Sequence, residues 1–149
     1  MIAPDQDAIV CEIEIAAPLS RVFQAFTEEA QVRRWSANDF CELTDWAMDL
    51  RLGGAWRSTT KEKVSAREHV HHGQILEFDP PHLLVYTWHA NFHEQPAKAS
   101  IVRLEFTPTA VGTKLKLTHS GLAQEPKARE DYKGGWPGVL DTLKTYCEH

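Results

Sequence analysis

Apolar and polar residues alternate in short runs through most of this chain, and alternation with a period of two is the signature of a half-buried strand. Ile9, Cys11, Ile13 and Ile15 alternate with Val10, Glu12 and Glu14 and predict a first strand. Pro18 then opens a helix with Val22, Phe23 and Phe26 on its apolar side and Thr27 near its end. A second short helix over 28–34 closes on Trp35, and 36–45 reads as a loop. Trp46, Met48, Leu50 and Leu52 predict the next strand, Gly53-Gly54 a turn, and 55–60 the returning strand. The runs over 70–78 and 83–90 form the clearest hairpin, because two successive prolines, Pro80 and Pro81, cannot donate to a ladder. The alternations at 102–107 and 113–119 flank a Val111-Gly112 turn and complete the set.

Near the end of the chain the period lengthens. Tyr132, Trp136, Val139, Leu140, Leu143 and Cys147 share one face of a helix predicted over 128–146, with Asp141, Lys144 and Glu148 opposite. Gly134, Gly135, Pro137 and Gly138 oppose that helix, at roughly 1 kcal/mol per glycine and roughly 3 for an interior proline. A loose or kinked first turn is therefore expected, or a place where something approaches the backbone closely. The order of elements predicts an α+β fold: a curved antiparallel sheet of about seven strands wrapped around a long C-terminal helix, with two short helices after the first strand. One helix does not fill the full width of such a sheet, so a cavity between them is the geometric expectation.

At 149 residues the chain reads as one domain, 1–149, with its core at 9–147. A net charge of −5 argues against nucleic acid or an anionic membrane as partner. No apolar run is long enough to span a bilayer, and the start MIAPDQDAIV lacks the build of a secretion signal. The reading is a cytoplasmic protein, monomeric or a weak homodimer, whose Cys11, Cys41 and Cys147 are thiols.

Parity places Tyr86, Trp88 and His119 on the inner sheet face, Trp136 and Leu140 opposite them on the helix, and Trp35 and Phe40 near the far end. Aromatic rings converging around one titratable ring suit a hydrophobic or aromatic small molecule, the alternative being a filled aromatic core. His119 reads either as a core histidine bonded to backbone or as a ligand-facing group. His69, His71 and His89 have the parity to meet on the outer face, which raises a metal trap, but the reading is an exposed polar face without a specific site. His72, of opposite parity to His71, would turn inward unless a bulge intervenes. No Ser–His–Asp set, paired inward carboxylates, phosphate loop or dinucleotide glycine pattern is present, so neither catalytic residues nor a cofactor are expected.

The chain resembles the START-like, helix-grip (SRPBCC) superfamily, and within it the family named for the activator of the heat-shock protein 90 ATPase. The resemblance runs from Ile13 to Tyr146. It is carried by Ala17-Pro18 with Val22-Phe23 and Ala25-Phe26-Thr27, Trp35, Leu52-Gly53-Gly54, the run 73–81 (GQILEFDPP) and the run 83–88 (LLVYTW). Phe106-Thr107-Pro108, Gly112-Thr113, the run 117–122 (LTHSGL) and Gly135-Trp136 continue it. It implies the helix-grip fold and a cavity. It also implies two alternative functions: a co-chaperone-type interaction with a chaperone, or a cyclase- or dehydratase-like enzyme using His119 with Tyr86 as a polar helper. The family name comes from the second part of a larger protein, so a single domain is expected not to stimulate a chaperone ATPase by itself.

Overall fold

In a computed structural model residues 7–36 and 40–149 are described. Part of the expected loop over 36–45, namely 37–39, and the chain start, 1–6, lie outside them. The elements run β1 (Ile9–Ile15), α1 (Leu19–Thr27), α2 (Glu29–Trp35), β2 (Cys41–Met48), β3 (Ala55–Glu62), β4 (Glu68–Asp79), β5 (Leu83–Ala90), β6 (Ser100–Pro108), β7 (Thr113–Ser120) and α3 (Pro126–Glu148). All seven strands join one antiparallel sheet in the order β1-β7-β6-β5-β4-β3-β2. Successive hairpins build β2 through β7. β1 and β2, neighbours in sequence, lie at opposite edges, so α1 and α2 carry the chain across the sheet's width.

Two bulges reset the alternation. Leu43 pairs with Thr60 but Asp45 pairs with Thr59, which leaves Thr44 as an extra residue in β2. Ile75 pairs with Tyr86 but Glu77 with Val85, which makes Leu76 the extra residue in β4. The first bulge lets Leu43 and Trp46, three apart, face the same side. That is why β2 starts at Cys41 although its pattern becomes regular only at Trp46. The expected strand end is corrected too: Asp49 and Arg51 enter a turn, Leu52 is 69 % exposed, and only Leu50 still packs on the core.

The core joins Leu104, Leu115 and Leu117 of the sheet to Leu140, Leu143 and Cys147 of α3, with Val22, Phe23 and Phe26 of α1 closing one end. α3 is longer than its apolar stripe predicts and remains one helix through Gly134–Gly138. Pro126 sits in its first turn, where the missing N–H has no helical partner to lose. Pro137 is interior but exposed, so the expected kink is replaced by a continuous helix with bare backbone at that level.

The C-terminal end of α3 is clamped to the start of the chain. Arg21 of α1 donates from Nε to the Cys147 carbonyl at 2.9 Å and from Nη2 to the Tyr146 carbonyl at 3.2 Å. Its guanidinium lies 5.3 Å from the Tyr146 ring centre. Glu148 accepts from the Ala16 amide at 2.8 Å, and Lys144 reaches the Glu14 carbonyl at 2.9 Å. A cation on the last carbonyls of a helix satisfies orphan acceptors and opposes the negative end of the dipole. Arg21→Ala is expected to cost about 1–2 kcal/mol in chemical denaturation, and Arg21→Lys to recover only part, because lysine keeps the charge but loses the fork.

Candidate functional site

α3 lies along the β1 side of the sheet and is tied to α1, so it leaves the β2–β5 half of the inner face uncovered. There a pocket of about 520 Å³ opens between sheet, α2 and α3. Its floor is Trp46 and Met48 of β2, Trp56, Ser58 and Thr60 of β3, His71 of β4, and Tyr86 and Trp88 of β5. Trp35 of α2 and Trp136 and Val139 of α3 form the sides. Gly135 and Gly138 also line it, and a side chain added at either would meet no atom within 4 Å. The glycines that oppose helix formation are thus the ones that leave this space empty.

Of the residues expected at a ligand site, Trp35, Tyr86, Trp88 and Trp136 stand on the wall. His119 and Leu140, at 0 % and 2 % exposure, lie behind it. Phe40 is corrected: at 80 % exposure it belongs to the outer surface and not to the lining. Sequence reasoning missed Trp46, Trp56 and His71. Trp56, Ser58 and Thr60 share one parity, and that alternation is the sequence signal for the inward face of β3.

His71 takes the face opposite to the one its parity predicts. It packs inward, its ring centre 4.6 Å from that of Trp88, while His72 and His89 stack on the outside at 4.8 Å. The reason is the extra residue at Leu76, which inverts parity for everything before it in β4. The three imidazoles considered as a metal trap are thereby split between faces. Instead, His69 bonds Glu62 and holds that carboxylate below its usual range. Among the described residues no group of three or more His, Cys, Asp or Glu side chains is placed to hold a metal ion.

The wall is fixed by its indole N–H groups. Trp35 donates to the Ala25 carbonyl at 2.7 Å and Trp56 to the Thr87 carbonyl at 2.8 Å. Trp56 lies opposite Gly73, where a Cβ would sit 1.9 Å from that same Thr87 oxygen, so only glycine fits. Trp88 donates to the Tyr132 hydroxyl at 2.9 Å, and Tyr132 faces Nε2 of His93 at 2.8 Å. Trp136 donates to Nδ1 of His119 at 3.1 Å. Nδ1 is therefore the acceptor, which puts the imidazole proton on Nε2, 2.8 Å from Ser100 Oγ. Ser100 passes its own proton to the Trp88 carbonyl at 3.0 Å. His119 is a fully satisfied neutral core histidine bonded through side chains rather than to backbone, and it offers no free nitrogen to the pocket.

The sequence from 16 to 148 matches the model of the Activator of Hsp90 ATPase homolog 1-like protein family. The chain belongs to that family. Solved structures share its fold: a protein from Chromobacterium violaceum (TM-score 0.80, 24 % identity, 96 % of this chain and 99 % of that one) is one. Another comes from Nitrosomonas europaea (0.77, 19 %, 97 % and 96 %). A third is the AHSA1-like protein from Aeromonas hydrophila (0.77, 21 %, 93 % and 90 %). At these identities the likeness extends to the fold alone. No curated protein sequence matches. Among the described residues no helix is long and apolar enough to cross a membrane.

In this AHSA1-like domain burial is the main cause that lowers the imidazole pKa of His119 to about 3 and of His71 to about 4. The phenols of Tyr86 and Tyr132 are pushed up, again chiefly by burial. The sign for the histidines follows from linkage. The unfolded chain takes up protons from about pH 6.5 downward while the folded one resists, so stability is complete above pH 6.5 and falls as the pH drops toward 4. Each of the two groups contributes a slope of about 1.4 kcal/mol per pH unit at most. Urea titrations between pH 7 and 4 are expected to show this loss, with a shallower slope in His71→Asn.

Proposed function

We propose that this domain binds a hydrophobic, aromatic small molecule in the pocket between α3 and the β2–β5 half of the sheet. The observation that carries this is the lining itself. Trp35, Trp46, Trp56, Trp88 and Trp136 border one hollow with Met48 and Val139. Four of these indoles have their N–H tied to protein groups, so ring faces and edges are what they present. Pockets of about 300–1,000 Å³ with apolar walls and a few polar points are the usual form of small-molecule sites. The bare helix supports the same reading. Gly135 and Gly138 each cost α3 roughly 0.5–1 kcal/mol against alanine, with no contact in the protein that requires them.

A neutral apolar fluorescent probe such as N-phenyl-1-naphthylamine should bind with one-to-one stoichiometry and quench tryptophan emission. Gly138→Ala should stabilise the fold by about 0.5–1 kcal/mol. Gly138→Leu should lower probe affinity at least about tenfold in a protein that remains folded, because a Cβ there meets no protein atom within 4 Å and the rest of the side chain extends over the hollow that Gly138 lines. Saturable probe binding unaffected by Gly138→Leu would reject the pocket as the site.

The family name favours a second reading, contact with a heat-shock protein 90-type chaperone. The small-molecule reading expects no change in chaperone ATP turnover at micromolar domain. A several-fold increase in a coupled ATPase assay would put the chaperone reading first. The cyclase or dehydratase alternative loses its proposed acid–base group, since both His119 nitrogens are engaged within the core.

A further inference from the structure

The polar atoms of the pocket wall are few, and they are all neutral. No Asp, Glu, Lys or Arg is among its described lining residues. Tyr86 is 2 % exposed and lines the pocket, and its hydroxyl makes no hydrogen bond to the described residues. Ser58 and His71 line the same wall, and neither Ser58 Oγ nor a His71 ring nitrogen makes a hydrogen bond to another described residue. Ser58 pairs directly with His71 across β3 and β4. Tyr86 pairs with Ile75, four residues further along β4 than His71. At a rise of about 3.3 Å per residue the two polar points start about 13 Å apart on the sheet. The rings of Trp56 and Trp88 fill the interval, 5.2 Å apart centre to centre.

We propose that the ligand of this pocket is an uncharged, planar aromatic molecule with hydroxyl or carbonyl oxygens at two edges, one met by Tyr86 and the other by the Ser58–His71 pair. The proposal rests on the small-molecule reading above and specifies its chemistry. Tyr86 has a proton to give. Ser58 gives one and accepts one, and a neutral imidazole does the same through its two nitrogens, so hydroxyl and carbonyl are both accommodated. An ionised carboxylate or ammonium would lose its hydration and find no counter-charge among the described lining residues, which disfavours fatty-acid anions and protonated amines. A wall built to hydrogen-bond an oxygen also discriminates against the analogue that lacks it, because the wall's own groups are then left unpaired.

Equilibrium dialysis of naphthalene, 2-naphthol, 2,6-dihydroxynaphthalene and 2-naphthoate against the full chain tests this. The expected order is dihydroxynaphthalene tightest, then naphthol, then naphthalene, with about three- to tenfold per oxygen and naphthoate weakest. Tyr86→Phe and Ser58→Ala, which each remove a single oxygen, should each cancel one step and leave naphthalene unchanged. Naphthalene binding as tightly as the diol, naphthoate binding tightest, or a diol affinity indifferent to both substitutions would overturn the proposal while leaving an apolar pocket in place. Failure of all four to bind, together with an apolar-probe signal that Gly138→Leu does not alter, would remove the pocket reading and this proposal with it.

Discussion

The bond from the Trp136 indole to His119 is the contact on which the arrangement of this domain depends. It fastens α3 to β7, the strand next to the β1 edge, and through His119 and Ser100 it continues to the backbone of Trp88 on β5. A neutral imidazole accepting on one nitrogen and donating on the other is the only state that satisfies both neighbours. Burial enforces that state by making the charged form costly. With the helix held there, and its C-terminal end held by Arg21, α3 does not extend over the β2–β5 half of the sheet. The pocket is what remains.

The same chain of bonds explains why the wall is rigid. Trp88 is held by its N–H to Tyr132, by its carbonyl to Ser100, and by ring contacts to His71, His119 and Trp136. Tyr132 comes from α3 and His93 from the loop after β5, so helix, sheet and loop meet at one phenol. An open hollow of this size carries no packing energy across the gap, and the missing contacts have to be offset by order in the wall. The fully tied indoles provide that order. α3 shows the opposite economy: glycines at 135 and 138 weaken a helix whose own packing does not need them.

Electrostatics shape the site through absence of charge. The chain carries 37 Asp, Glu, Lys and Arg side chains, 21 acids and 16 bases, and none of the described ones lines the pocket. The histidine that does line it is kept neutral by burial, chiefly, and by the neighbouring His69, His93 and His72. Water-exposed ion pairs such as Arg57–Asp45 and Lys114–Glu12 stay on the outer surface, where their contribution is small.

Much of this fold is legible in the sequence because its signals are local. β1, β6 and β7 alternate without interruption, and their inward residues Ile9, Ile15, Val102, Leu104, Leu115 and Leu117 are all buried. The stripe from Trp136 to Cys147 is a helix face for the same reason: period alone decides which side is apolar. The resemblance carried by Ala17-Pro18, the run 73–81 and Gly135-Trp136 placed the chain in its family for similar cause, through order and spacing along one dimension. What tertiary structure decided are the points where a count along the chain fails. One extra residue at Leu76 turned His71 inward and His72 outward, where it meets His89, and one at Thr44 started β2 early. Phe40 lies on the surface although it neighbours a strand that lines the pocket. His119 found its partners 17 and 19 residues away, on different elements. Parity is a property of neighbours in sequence; a bulge, an empty space above a glycine and a hydrogen bond between a helix and a sheet exist only once distant segments meet.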